Sequence, residues 1–153
     1  MPEAKCGFND SADGKTKGCD SLVTHGPTLA VDIGFDSKFN VGGGGVPAPI
    51  VTGIAALVDT GAFASFIDND LAISLKLPII DKQPVSGSNG KHMVNMYLAQ
   101  IHVPSLQFTI YGSFGGVELA AGGQVHKALI GRTFLRKFTM MYSGSSGDVK
   151  IFR

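Results

Sequence analysis

Long apolar runs, dense charge and clustered cysteine are all missing from this chain, and each absence narrows its possible roles. No apolar stretch approaches the roughly 20 residues that a helix needs to cross a bilayer, so no membrane partner is expected. Lys and Arg are scattered and nearly balanced by Asp and Glu, for a formal charge of +1, and no basic stripe suggests a nucleic-acid partner. His25, His92, His102 and His126 are dispersed without ligand spacing, so neither a metal nor a cofactor is expected. Ser65, Ser74 and Ser86 lack the Gly-x-Ser-x-Gly setting of a serine nucleophile. Cys6 and Cys19 are the only cysteines. Both sit in a polar segment where a disulfide would add little to a core, and they are expected to be free thiols. The opening residues lack the apolar region of a secretory leader, so a cytoplasmic location is expected if Met1 is the native start.

What is present is a globular composition. Apolar residues make up 44% of the 153 and charged ones 16%, which suits one domain with its own core. Residues 1–24 are charged, Gly-punctuated and aperiodic, and read as a flexible N-terminal tail ahead of a domain at 25–153. Apolar patterning predicts strands at 29–35, 50–58, 65–67, 79–85, 93–103, 106–111, 117–119, 128–130, 139–142 and 148–152. Gly112, Gly115 and Gly116 read as turns. Asp68 is a candidate cap for a helical turn over 69–75, and 133–138 reads as helical. Gly42 to Gly45 lie in a loop over 36–49; no Lys-Ser/Thr follows them and no helix opens there, so they read as a linker and not a phosphate loop. Many short strands, 21 glycines and one short C-terminal helix predict an all-β barrel or sandwich.

Three stretches carry the chemistry. The apolar run 54–58 leads into Asp59-Thr60-Gly61-Ala62. A carboxylate at the end of a buried strand costs several kcal/mol unless it is paired or hydrogen-bonded, and such groups are often retained for chemistry. The plain alternative is an Asp that binds local amides in a tight turn. Ser86-Gly87-Ser88-Asn89-Gly90 follows as a hairpin tip, Asn-Gly being a strong hairpin signal. Leu129-Ile130-Gly131-Arg132 comes third, about seventy residues after the first.

In this order and spacing, the three stretches resemble the retropepsin-like aspartic proteases, the single-domain retroviral type, here as a bacterial-type member. The resemblance implies a closed acid-protease β-barrel with one short C-terminal helix, and an endopeptidase that activates water between two carboxylates. The chain carries one Asp-Thr-Gly, so it supplies half a site, and a C2 homodimer is implied. Asp59 is then the catalytic carboxylate, and Thr60 reaches across the dimer axis. Gly61 and Ala62 line the site against a peptide substrate, Ser86 to Gly90 form the flap tip, and Leu129 to Arg132 pack behind the catalytic loop. In viral members the arginine pairs with an Asp soon after Asp-Thr-Gly-Ala; here Phe63 and Ala64 stand there, so Arg132 needs another partner, Asp68 or a backbone carbonyl. The last strand either pairs across the dimer or closes the monomer. Hydrophobic residues flanking the cut are expected, from Ala62, Phe63 and Ile130. The alternative function is a non-catalytic peptide- or protein-binding module on the same fold. A further option is that residues 1–24 block the cleft until removed.

Overall fold

The computed structural model describes residues 1–153. Ten strands and three short helices follow in the order β1 (Glu3–Lys5), α1 (Gly18–His25), β2 (Thr28–Gly34), β3 (Val51–Val58), β4 (Phe66–Asp68), α2 (Asn69–Ser74), β5 (Ile79–Gly87), β6 (Gly90–Val103), β7 (Phe108–Val117), β8 (Ala128–Ile130), α3 (Arg132–Leu135), β9 (Thr139–Ser143) and β10 (Asp148–Phe152). Six strands form a closed barrel in the order β2-β3-β8-β4-β7-β6, and β2 pairs with β6 to complete the circle. Closure leaves no free edge around the ring. β5 lies outside it, paired only with β6. No helix is long and apolar enough to cross a membrane.

Alternation builds the barrel core. Along β2, Leu29, Val31 and Ile33 point inward and are buried. Val58, Ile67, Tyr97, Ile101, Val103, Phe114 and Ile130 fill the same core from the other staves. Two parallel pairings, β3 with β8 and β4 with β7, break the otherwise antiparallel pattern. They meet where the 59–65 loop leaves the barrel.

The expected N-terminal tail is corrected. Residues 3–5 are β1, which pairs with β10, and residues 18–25 form a helix. Ala4, Cys6 and Leu22 are buried in the core cluster. Gly147 sits so close to Gly18 and Cys19 that a Cβ there would lie 2.4 Å from the Gly18 backbone carbon. The segment is thus integral to the terminal sheet, whose order is β1-β10-β9. Both cysteines are free, and burial pushes the Cys6 thiol up to about 12. α1 also means that the C-terminal helix is not the only one.

The turn reading of three glycines is also corrected. Gly112, Gly115 and Gly116 lie within β7 and are not turns. A Cβ on Gly115 would meet the Phe66 ring at 2.8 Å, and one on Gly116 would meet Asn69 Oδ1 at 2.6 Å and the Tyr97 ring at 2.7 Å. Close packing, not chain reversal, requires glycine there.

His126 is buried just ahead of β8. Its Nε2 lies 2.8 Å from Thr28 Oγ1, and its Nδ1 has no partner. Burial, and secondarily the charge of His25, hold its pKa below the ordinary value of 6.5. The unfolded chain therefore takes up a proton near pH 6.5 that the folded chain resists. His126 costs nothing above that pH, and stability falls as pH drops below it. Melting temperatures from about pH 7 to pH 5 should fall less steeply in His126→Gln than in the native chain. Equal slopes contradict this role.

Candidate active site

Asp59 stands where β3 ends. The parallel register places Val58 beside Ile130, and the Asp59 N–H donates to the Ile130 carbonyl at 2.9 Å. The carboxylate Oδ1 accepts from the Gly61 N–H at 2.8 Å, and the Asp59 carbonyl accepts from the Ala62 N–H at 3.2 Å. This is the local turn expected of an Asp followed by Gly. Asp59 is half-buried, Thr60 and Gly61 are exposed, Ala62 is half-buried, and the Phe63 side chain stands out with 73% of its surface accessible.

The loop is clamped from behind. Arg132 N–H donates to the Ala62 carbonyl at 2.9 Å, and Thr133 N–H to the Phe63 carbonyl at 3.0 Å. Gly131 N–H donates to the buried Ser65 Oγ at 3.1 Å. The Arg132 guanidinium donates to the Thr60 carbonyl at 2.8 Å. The partner of Arg132 is therefore a backbone carbonyl of the Asp59 loop, not Asp68. The clamp needs a glycine: a Cβ on Gly131 would lie 2.2 Å from the Ala64 carbonyl oxygen and 2.8 Å from that of Ala62. Its φ of −100° is open to any residue, so the requirement is space alone.

Helix α3 fixes the clamp to the barrel. Phe134 is buried, and Phe108, Phe134 and Phe138 form an aromatic cluster with ring centroids 4.7–5.7 Å apart. The Arg153 guanidinium lies over Phe108 and Phe138 at 5.2 and 5.3 Å. Such contacts contribute about 1 kcal/mol each beyond area burial. They hold a loop of exposed residues on a rigid support.

The fully buried carboxylate is Asp68, not Asp59. Asp68 is 1% exposed. Its Oδ2 accepts from Leu71 N–H at 3.1 Å and caps α2. Its Oδ1 accepts from Leu119 N–H at 3.0 Å and Ala120 N–H at 2.9 Å. The cap was legible in the sequence; the tie to 119–120 was not, because nothing local links positions fifty residues apart. Asp68→Ala leaves three amides without their acceptor and should cost on the order of 3 kcal/mol in chemical denaturation. A loss below about 1 kcal/mol contradicts the tie.

β5 and β6 form a long hairpin, paired from Ile79 beside Tyr97 to Gly87 beside Gly90, with a register shift between Ile79 and Asp81. Of Asn89 and Gly90 only Gly90 takes a positive φ, 92°, so the tip is a turn through Ser88-Asn89 closed by a left-handed glycine. β6 pairs with β7 only from Met96 beside Gly115 onward. Before that point the two strands part, and residues 90–95 keep one backbone edge free. A groove of about 640 Å³ fills the wedge, lined among others by Asn69, Lys82, His92, Asn95, Gly116 and Glu118.

The structure thus brings Asp59 to Ala62 together with Leu129 to Arg132. Within one chain it does not bring them to the hairpin tip: of residues 86–90 only Gly87 and Asn89 line the groove, and none of residues 59–62 does. No residue of 1–24 lines it either. β10 is paired on both edges, by β1 and β9, so it neither waits for a partner copy nor belongs to the barrel. No family model matches the chain, and no curated protein matches it.

Proposed function

We propose that this chain is one half of a retropepsin-like aspartic endopeptidase, complete only as a C2 homodimer. The observation that carries the reading is the Asp59 loop itself. Its carboxylate is oriented by the Gly61 N–H, its carbonyls are held by Arg132 and Thr133, and its tip residues Thr60, Gly61 and Phe63 face outward. A turn with only a structural role does not need that support beneath a half-buried carboxylate and an exposed tip.

The chemistry follows from pairing two such loops about a twofold axis. Two carboxylates a few ångström apart cannot both ionise, so they share a proton and titrate as a pair. The ionised member takes a proton from water, and the protonated member donates to the scissile carbonyl as the tetrahedral intermediate forms. Thr60, Gly61 and Ala62 shape the floor, with the Gly61 backbone against the peptide. The β5–β6 hairpin covers it, and its glycines at 87 and 90 suit a flap that opens and closes.

The pairing of β10 within its own chain favours a second reading, a peptide-binding module that does not cut. Cleavage of a mixed peptide library between about pH 3 and pH 7 separates the two. The peptidase cuts; the binding module retains peptides intact.

A further inference from the structure

Resting on the peptidase reading, we propose that the groove between β6 and β7 is a specificity subsite for a neutral amide side chain, glutamine or asparagine. It therefore selects against the hydrophobic flanking residues expected from the sequence.

The groove floor is a chain of three polar side chains. Tyr97 Oη donates to Asn69 Oδ1 at 2.7 Å, and Asn95 Nδ2 lies 3.4 Å from the same Oη. Tyr97 is otherwise buried, and it fixes both carboxamides. One amide group on each asparagine is used by the tyrosine and the other is not: Asn69 Nδ2 and Asn95 Oδ1 have no partner within the chain. Neither belongs to the buried atoms left without partners, so both keep access to solvent, on residues that line the groove. Turning both carboxamides over exchanges the roles and still leaves one NH2 donor and one carbonyl acceptor.

A donor and an acceptor side by side are the complement of a third carboxamide. Its carbonyl accepts from Asn69, and its NH2 donates to Asn95. An aliphatic side chain there leaves both unpaired. Lys82 stands on the hairpin side and Glu118 on the β7 side, so the walls carry no single sign of charge. The backbone edge of residues 90–95 is free to pair with an extended segment, which sets the peptide in register and directs alternate side chains to the floor.

The test is the position-by-position residue preference among peptides cut from a mixed library by the native chain and by Asn95→Leu. The native chain should enrich Gln or Asn about tenfold over Leu at one position, and Asn95→Leu should reverse that preference. Cleavage by the native chain with no amide enrichment at any position overturns the subsite and leaves the peptidase reading intact. Absence of any cleavage overturns both. The native profile decides even if the variant does not fold.

Discussion

Asp59→Asn is expected to abolish peptide hydrolysis, lowering the rate by at least about a thousandfold, with the fold unchanged. The substitution keeps the shape of the side chain and an oxygen that can accept the Gly61 N–H, now at 2.8 Å from Oδ1. It removes the ionisable group, and two asparagines can neither share a proton nor take one from water. Peptide cleavage by mass spectrometry, alongside thermal unfolding, separates loss of chemistry from loss of structure. Persistent cleavage in a clean preparation contradicts the assignment.

Gly131→Ala is expected to have the next largest effect, and through a different route. One methyl group would lie 2.2 Å from the Ala64 carbonyl oxygen and 2.6 Å from its carbon. Backbone atoms cannot swing aside as a side-chain end can, so the 62–65 and 130–133 segments must separate. The bonds from Gly131 to Ser65, Arg132 to Ala62 and Thr133 to Phe63 lie on that seam. The expected cost is about 3 kcal/mol or more in denaturant unfolding, with activity lost together with the clamp. A variant of native stability contradicts the packing account. Activity retained in a folded Gly131→Ala separates the clamp from the chemistry.

The two predictions draw on parts of the molecule that differed in how openly the sequence displayed them. β8 and β10 fall on the expected residues 128–130 and 148–152, because an apolar run closed by Gly131 and an alternating stretch between Gly147 and Arg153 leave little choice. The Asp68 cap and a hairpin tip within Ser86 to Gly90 are equally local signals, although the turn centres on Ser88-Asn89 and not on Asn89-Gly90. The N-terminal segment was hidden because its anchors, Ala4, Cys6 and Leu22, are few, far apart and without period. β1 gains its place from β10, nearly 150 residues away, and no local pattern announces such a pairing. Gly115 and Gly116 misled in the opposite sense: glycine marks a turn by default, and only the rings of Phe66 and Tyr97 reveal that the strand needs the space. At the site, the sequence indicated Asp59, Gly131 and Arg132 but not the bond from Arg132 to the Thr60 carbonyl. The polar floor was also out of reach, since Asn69, Tyr97 and Asn95 come from α2 and β6 and meet only in the fold.

The central claim is that two copies of Asp59 make one site, and a mixing experiment tests it most directly. Native chain at fixed concentration is equilibrated with roughly ninefold excess of Asp59→Asn, and cleavage is measured. If the site is shared, nearly every native chain is paired with an inactive partner, and activity falls to about a tenth. Activity unchanged by the excess means that each chain works alone, and contradicts the dimeric dyad.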